Sequence, residues 1–465
     1  MWADPAALPR VLLRGRERAL PPESMRALVE TLALPGMFGA EVAREVCDPE
    51  SLTEFGVALF ESGSAAGKPA DGRWALAQLG RTGDDSTVPL LEARVRESTG
   101  RTRLPDAAEA LGALAGIGTD TALRALHDLA VRWRTVGVRQ AAAEAFGRAA
   151  EARGVTAGVL GDRLVPDLGV DAEDGTTVDY GRRRFTVRFD GEFRPVVTDG
   201  DGKLRKTLPK PGKTDDPEVA PAAHAAFTEL RRSVETAVSL QIVRLERAMT
   251  DGRRWTPEEF RAYAVRTPLV RRIARRLVWL AEDGAAVRSF RVAEDGTLAD
   301  AADEPFAPAL TARIGVAHPV HLGADVEAWS EVFADYEILQ PFPQLGHPAY
   351  PLTAAERAGH VLDRFTGRTT TDPQAQTLAQ RGWTWNREQA SGGIDRFVRR
   401  VADGRCIVVD TDARGLHGLV VRRVRAAAAG GADGPGAEPV PFGALDPVAV
   451  SEAIADLTAL LGDGT

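Results

Sequence analysis

Lysine is nearly missing from this chain: among 58 basic side chains in 465 residues, only five are lysines. Arginine carries almost all the positive charge, so any lysine chemistry is confined to a few positions. Cysteine is scarcer still. Cys47 and Cys406 lie far apart without a partner motif, which argues against a disulfide framework and a thiolate zinc site and implies a reducing cytoplasm. No run approaches the about 18 apolar residues that a membrane-spanning helix needs. The amino terminus, MWADPAALPRVLLRGRERALPP, places charges and prolines where a secretory leader requires an apolar stretch. Export and membrane insertion are therefore not expected. G-x-x-x-x-G-K-[ST], H-E-x-x-H and paired C-x-x-C are also absent, which removes the motif basis for phosphate-loop, zincin and thiol-redox chemistry. Gly200-x-Gly202 in DGDGK reads as a hairpin turn, because a dinucleotide fingerprint belongs between a parallel strand and a helix.

What is present is ordinary globular protein, 44% apolar and 27% charged, with a length that suggests about three domains. Its charge is uneven. The net value is -8, yet residues 182–213 hold ten basic and four acidic side chains, and residues 231–276 hold twelve and five. Such asymmetry points to an acidic partner or to a solvated face paired within the fold. Four of the five lysines, Lys203, Lys206, Lys210 and Lys213, share the stretch KLRKTLPKPGK with Arg205. An ammonium acts as a point charge on a flexible stem, which suits phosphate contact. Lysine and proline also protect an exposed sheet edge from further pairing, and both readings stand at this point.

The pattern along the chain predicts an α+β multidomain protein, a HEAT-like helical repeat array fused to a mixed body with antiparallel meanders and long helices. Residues 1–70 read as irregular helices ending in the linker SGSAAGKPA. Residues 71–160 read as the array, because Ala75-Leu76, Ala110-Leu111 and Ala145-Phe146 recur every 35 residues in alanine-rich amphipathic runs. Residues 161–303 form an α+β domain and residues 304–465 a second one. In the first, alternation at 184–189, a strand from Phe193 to Thr198 and another from Lys203 to Leu208 predict a three-stranded meander turning at Asp190-Gly191 and at Asp199 to Gly202. A helix follows over 221–249, and Thr256-Pro257-Glu258-Glu259 is a helix start. Another helix is expected from Pro268 to Ala281, with Arg271, Arg272, Arg275 and Arg276 on its polar face, then a hairpin turning at Asp295-Gly296. Further on, the pattern gives a helix over 325–334, several strands over 396–424 and a last helix capped by Asp446.

The anion- or partner-binding candidates are thus Lys203, Arg205, Lys206, Lys210, Lys213, Arg271, Arg272, Arg275 and Arg276. A metal is not expected; His318 and His321 in HPVH are the weak candidates, because the segment reads as extended and would turn them to opposite faces. An enzyme would have to use Lys206, Lys210, Asp215 and Asp216, or His318, His321, Asp335 and Glu337. Trp383 and Trp385 either stack on bases or pack in a core. No cofactor is indicated. A protein partner on the helical array and a nucleic acid on the basic segments are the partners to consider, without a membrane.

Five segments in fixed order, DRLVPDLG (162–169), DYGRRRFTVRFD (179–190), LPKP with DD (208–216), RLERAM (244–249) and DYEILQPFPQL (335–345), resemble the MolR-like (molybdate metabolism regulator-like) bacterial family. That resemblance runs from about residue 70 onward. It implies a large domain of unknown function with helical repeats and a regulatory role, and it brings no catalytic residues. The WGR module often found in that family is not evident here. A chain of this kind is expected to be a regulatory or scaffolding protein, and the irregular first 70 residues also fit a piece of a longer family member.

Overall fold

The computed structural model describes residues 4–34, 39–65, 74–98, 104–171, 175–387, 394–401, 404–414, 418–428 and 438–462. They divide into two compact units, Met1–Pro166 and Asp167–Thr465. No helix among the described residues is long and apolar enough to cross a membrane. Most of the expected linker SGSAAGKPA, and most of AAAAGGADGPGAEP (426–439), which reads as a loop before the last helix, lies outside the described residues.

The first unit is helical: α1 (Pro22–Ala33), α2 (Gly39–Val46), α3 (Pro49–Ala65), α4 (Trp74–Ala77), α5 (Leu79–Thr82), α6 (Val88–Glu97), α7 (Leu104–Ile117), α8 (Asp120–Arg132), α9 (Val136–Glu151) and α10 (Ala157–Arg163). Helix α3 continues through Ala65, so the start of the expected linker is helical. Alanine explains how closely the later helices pack. Helix α7 buries Ala107, Ala110, Leu111, Ala113 and Leu114, and α5, α7 and α9 lie side by side, with α6 against α8. At the α5–α7 contact, a Cβ on Gly116 would stand 2.8 Å from the Gly80 carbonyl oxygen, so only glycine permits that approach. Of the residues that recur every 35 positions, Ala75, Ala110, Leu111, Ala145 and Phe146 are all buried.

The second unit is mixed α/β and contains three antiparallel sheets. The first has the order β1 (Thr176–Asp179), β2 (Arg184–Phe189), β3 (Pro195–Asp199), β4 (Leu204–Arg205). It has one strand more than the expected meander, because Thr176 to Asp179 pair with Val187 to Arg184. Phe193 does not begin a strand. It takes a positive φ of 62° in a turn where the Asp190 carboxylate accepts the Glu192 and Arg194 N–H groups. Helix α11 (Val219–Thr250) follows, 32 residues or about 48 Å long. It packs on β1 near one end and on β8 of the second sheet near the other. The Thr256–Glu259 start signal is a full capping box opening α12 (Pro257–Phe260), which passes into one π-helical turn, Arg261–Val265.

Helix α13 (Pro268–Ala274) is shorter than expected. Leu277 and Val278 leave it, and Val278 begins β5 (Val278–Asp283), whose first four residues are all buried. A strand covered on both faces shows a continuous apolar run, which over a few residues cannot be told from the buried stripe of a helix. The second sheet has the order β7 (Leu298–Ala299), β6 (Ala286–Val292), β5, β8 (Arg313–Val316). The domain boundary expected at 303/304 falls inside this sheet, since β8 pairs with β5. Two short helices, α14 (Pro319–Leu322) and α15 (Asp325–Asp335), come next, then α16 (Ala354–Ala358).

The third sheet combines β9 (Thr369–Thr371), β10 (Trp383–Arg387), β11 (Ile394–Arg400), β12 (Arg405–Arg414) and β13 (Gly418–Ala428), with α17 (Asp372–Gln376) after β9. Helix α18 (Pro447–Leu461), capped by Asp446, buries Val450, Ala453, Ile454 and Leu457 in the core of this sheet. Trp383 belongs to that core and donates its indole N–H to Asp456 at 2.8 Å, while Trp385 packs partly buried beside it.

Candidate anion-binding site

The two basic segments do not form one surface. Arg272, from α13, donates to the Phe189 and Asp190 carbonyls at the end of β2. The lysines begin at the opposite end of β3, where Asp199 accepts the Asp201 and Lys203 N–H groups through one carboxylate oxygen. The four steps from Pro195 to Asp199 along β3 put about 13 Å between those ends. Lys203, Lys206, Lys210 and Lys213 are exposed, and no carboxylate among the described residues pairs with them. Arg205 is paired with Asp199 at 2.7 Å. The strand Leu204–Arg205 lies on the sheet edge, the position that lysine and proline protect.

Asp215 and Asp216 have structural work. Both Asp215 oxygens accept from Arg183, at 2.8 and 2.5 Å, and the Gly212 N–H donates to one of them. Those bonds, the Arg183 guanidinium first, bring the Asp215 carboxyl down to about 2. Asp216 accepts the Glu218 and Val219 N–H groups at the start of α11. Together with the Tyr180 hydroxyl, which meets the Pro209 carbonyl and His224 Nδ1, they pin the lysine loop.

Arg271 and Arg272 lie on α13, apart from its buried Leu269, Val270, Ile273 and Ala274, and Arg275 and Arg276 follow in the turn that ends the helix. They divide in role. Arg271 and Arg272 both bind Asp171, and Arg272 also holds the Val170, Phe189 and Asp190 carbonyls, so these two staple chain segments together. Arg275 and Arg276 face a cavity of about 990 Å³ with Arg272 and with Arg291 from β6. Arg275 has a buried Nε without an acceptor among the described residues. Burial, and then the neighbouring Arg271 guanidinium, lowers its pKa. Burial also lowers that of Arg276, which donates to the Leu339 carbonyl. Asp171 and Glu294 offset that lowering only in part at Arg275, and Glu192 only in part at Arg276.

Sequence reading missed Arg291, because its alternation in VRSFRV says nothing of the cavity it enters. Its guanidinium bonds Asp303 at 2.6 Å and lies 4.4 Å from the centre of the Tyr336 ring, while the Tyr336 hydroxyl donates to the other Asp303 oxygen at 2.5 Å. Its Nε is also buried without an acceptor among the described residues. Acidic groups share the rim. Glu192 pairs with Arg194, the Asp295 carboxylate accepts from Thr297, and Glu294 and Glu337 are exposed. Four non-glycine residues among those described have positive φ, and three of them, Phe193, Asp303 and Glu337, line this cleft or hold its walls. Each such conformation costs about 1–3 kcal/mol and persists only where the surrounding structure enforces it.

The histidines gather differently from the HPVH reading. Residues 319–322 are helical, with His318 at the cap, its Nδ1 accepting the Val320 N–H at 3.1 Å. His321 is in the following turn, away from the His318 contacts, and Asp335 and Glu337 lie at the end of α15. His318 meets His347 and Glu452 instead: both Nε2 atoms reach one Glu452 oxygen, at 3.2 and 2.7 Å. This is the one cluster of metal-ligand type among the described residues. The Val320 N–H bond to Nδ1 leaves Nε2 of His318 directed at Glu452, as Nε2 of His347 is. The group is a hydrogen-bonded tie between α18 and the two loops.

Burial alone would raise the Glu452 carboxyl, but hydrogen bonds from His318 and His347 outweigh it and bring it down to about 2. The same Glu452 bond raises His347. Glu452 therefore stabilises the fold fully above its unfolded value of 4.5, and that contribution is lost as pH falls towards 2. His347 contributes fully below 6.5 and loses its share as pH rises through its raised folded pKa. Thermal unfolding followed against pH should show a plateau between those values, and His347→Gln should remove the decline on the alkaline side. An unchanged alkaline limb in His347→Gln would assign that decline to other groups.

Residues 202–383 match the family described as Domain of unknown function (DUF4132). Over 375 residues, 80% of this chain, the sequence is 33% identical to the "Uncharacterized protein YehI" of Escherichia coli (strain K12), of whose length it spans 30%. No solved structure matches. The chain thus carries a domain of unknown function whose matched span includes α13, the cleft arginines and the Glu337–Leu339 wall.

Proposed function

We propose that this is a regulatory or scaffolding protein of MolR-like kind that binds an acidic group of a macromolecular partner in the arginine cleft. In this reading the helical unit is a HEAT-like array that supplies protein contacts, and the exposed lysines guard a sheet edge. What carries it is Arg275: a guanidinium lining a cavity, its Nε buried without an acceptor and its charge opposed by burial and by Arg271. An anion there gains a charge-assisted bond at a donor already desolvated. The enzyme alternatives have less support, because Asp215 and Asp216 are consumed by loop and helix contacts and His318 is turned to Glu452.

Calorimetric titration with acidic peptides tests this. Arg275→Gln is expected to weaken binding by about ten- to a hundredfold, the worth of one hydrogen bond to a charged group. Replacing Lys203, Lys206, Lys210 and Lys213 together by serine should change it by less than about threefold, the scale of exposed charges. The reverse ranking would move the binding surface to the lysine loop.

A further inference from the structure

A second cavity, of about 570 Å³, lies on the other side of the same wall. Ser330, Phe333, Ala334 and Leu345 line it, and it shares Glu337, Ile338 and Leu339 with the arginine cleft. The two cavities differ in character, one bearing guanidinium groups and the other mainly aliphatic and aromatic carbon. Their partition is prominent. Leu339 is 65% exposed and Tyr336 53%, large apolar side chains that the fold itself does not cover. Glu337 holds a φ of 52° between them, a conformation that non-glycine residues avoid unless the surroundings impose it.

From this juxtaposition we infer that the cleft receives a short peptide segment of a partner protein carrying an acidic side chain next to an apolar one. The acidic group meets Arg275 and Arg276, and the apolar one crosses the Leu339 wall into the second cavity. The inference rests on the anion-binding reading of the cleft and adds the class of partner. Charge distribution favours a peptide over a nucleic acid. Glu294 and Glu337 stand exposed at the rim, where they repel a continuous run of phosphates yet leave room for one carboxylate. A nucleic acid also has no aliphatic side chain with which to gain from the second cavity, whereas leucine-sized groups recover their hydrophobic transfer energy there.

The test uses the full chain, with fluorescein-labelled octapeptides of three kinds and a single-stranded oligonucleotide of equal length, read by anisotropy. One peptide set pairs glutamate with leucine at neighbouring positions, the second replaces leucine by serine, and the third replaces glutamate by glutamine. Glutamate–leucine peptides are expected to bind about tenfold more tightly than glutamate–serine peptides, the return from burying much of one leucine. Ala334→Trp, at an exposed helix position lining the second cavity, should bring glutamate–leucine binding down to the level of the glutamate–serine peptides. Arg275→Gln should weaken both acidic sets alike. Equal binding of the two acidic sets, unaffected by Ala334→Trp, would overturn the peptide inference and leave the cleft reading intact. An oligonucleotide that binds more tightly than every peptide would overturn it too. Indifference of all ligands to Arg275→Gln would remove both readings, and comparison of melting temperatures separates any of these outcomes from misfolding.

Discussion

Asp410→Asn is expected to destabilise the second unit by about 3–5 kcal/mol, the cost of removing one partner from a buried ionic group. Asp410 is fully buried on β12 and accepts from three arginines, Arg396 at 2.9 Å, Arg423 at 2.8 Å and Arg425 at 2.9 Å. Arg396 and Arg425 are themselves mostly buried, so asparagine would remove the buried carboxylate charge that both guanidinium groups meet. Burial alone would raise the Asp410 carboxyl. The bonds from Arg425, Arg423 and Arg396 outweigh burial and bring it down to about 2. Its contribution is therefore present above the unfolded value of 3.8 and is lost as pH falls towards 2. Urea unfolding followed by tryptophan fluorescence should show the midpoint drop at neutral pH and a smaller difference from the parent near pH 2. Arg423→Gln, at a half-exposed member, should cost less than about 1 kcal/mol. Equal losses for the two variants would mean that the cluster acts through packing and not through charge.

Gln344→Ala is expected to cost about 3 kcal/mol or more, because one fully buried amide serves three backbone groups. Its Oε1 accepts the Val278 N–H at 2.9 Å, and its Nε2 donates to the Val278 and Ala317 carbonyls, each at 2.7 Å. The amide thus completes pairing where β5 begins and β8 has ended. Alanine would leave the Val278 N–H without a partner and open a cavity beside a strand covered on both faces. Hydrogen exchange gives a local readout. The Val278 amide should lose protection in Gln344→Ala while amides in the middle of α11 keep theirs, and retained protection at Val278 would show that another group closes the strand. Gln344→Leu, which restores volume without the bonds, should recover only the cavity share.

Gln344 also explains part of the segment DYEILQPFPQL. Gln344 near its end is a structural staple, and Glu337 to Leu339 near its start are the partition between two cavities. A resemblance carried by that segment therefore mixes two causes that sequence does not separate.

Local signals were legible, and distant ones were not. The hairpin at Asp295-Gly296, the capping box at Thr256 and the Asp446 cap before Pro447 depend on residues within a few positions of each other, and all three occur. Helix α13 overran in the reading because Leu277 and Val278 continue its apolar spacing, and only sheet pairing shows that Val278 is a strand residue. The four arginines were visible as a periodic stripe on the longer expected helix, although only Arg271 and Arg272 lie on α13. Their division into stapling Arg271 and Arg272 and cleft-lining Arg275 and Arg276 depends on Asp171, 100 residues away. His347 and Glu452 gave no signal, the latter being one of several polar residues on a mainly apolar helix and 134 residues from His318.

Helix α11 gives the second unit an unusual mechanical property. A single unbroken rod is bedded in one sheet near its first turns and in another near its last, so neither sheet can tilt without levering the other. Arg272 adds a strut between the same parties, tying α13 to the end of β2. An occupant of the cleft would therefore touch, through Phe189 and Arg272, the same sheet that beds the first turns of the rod.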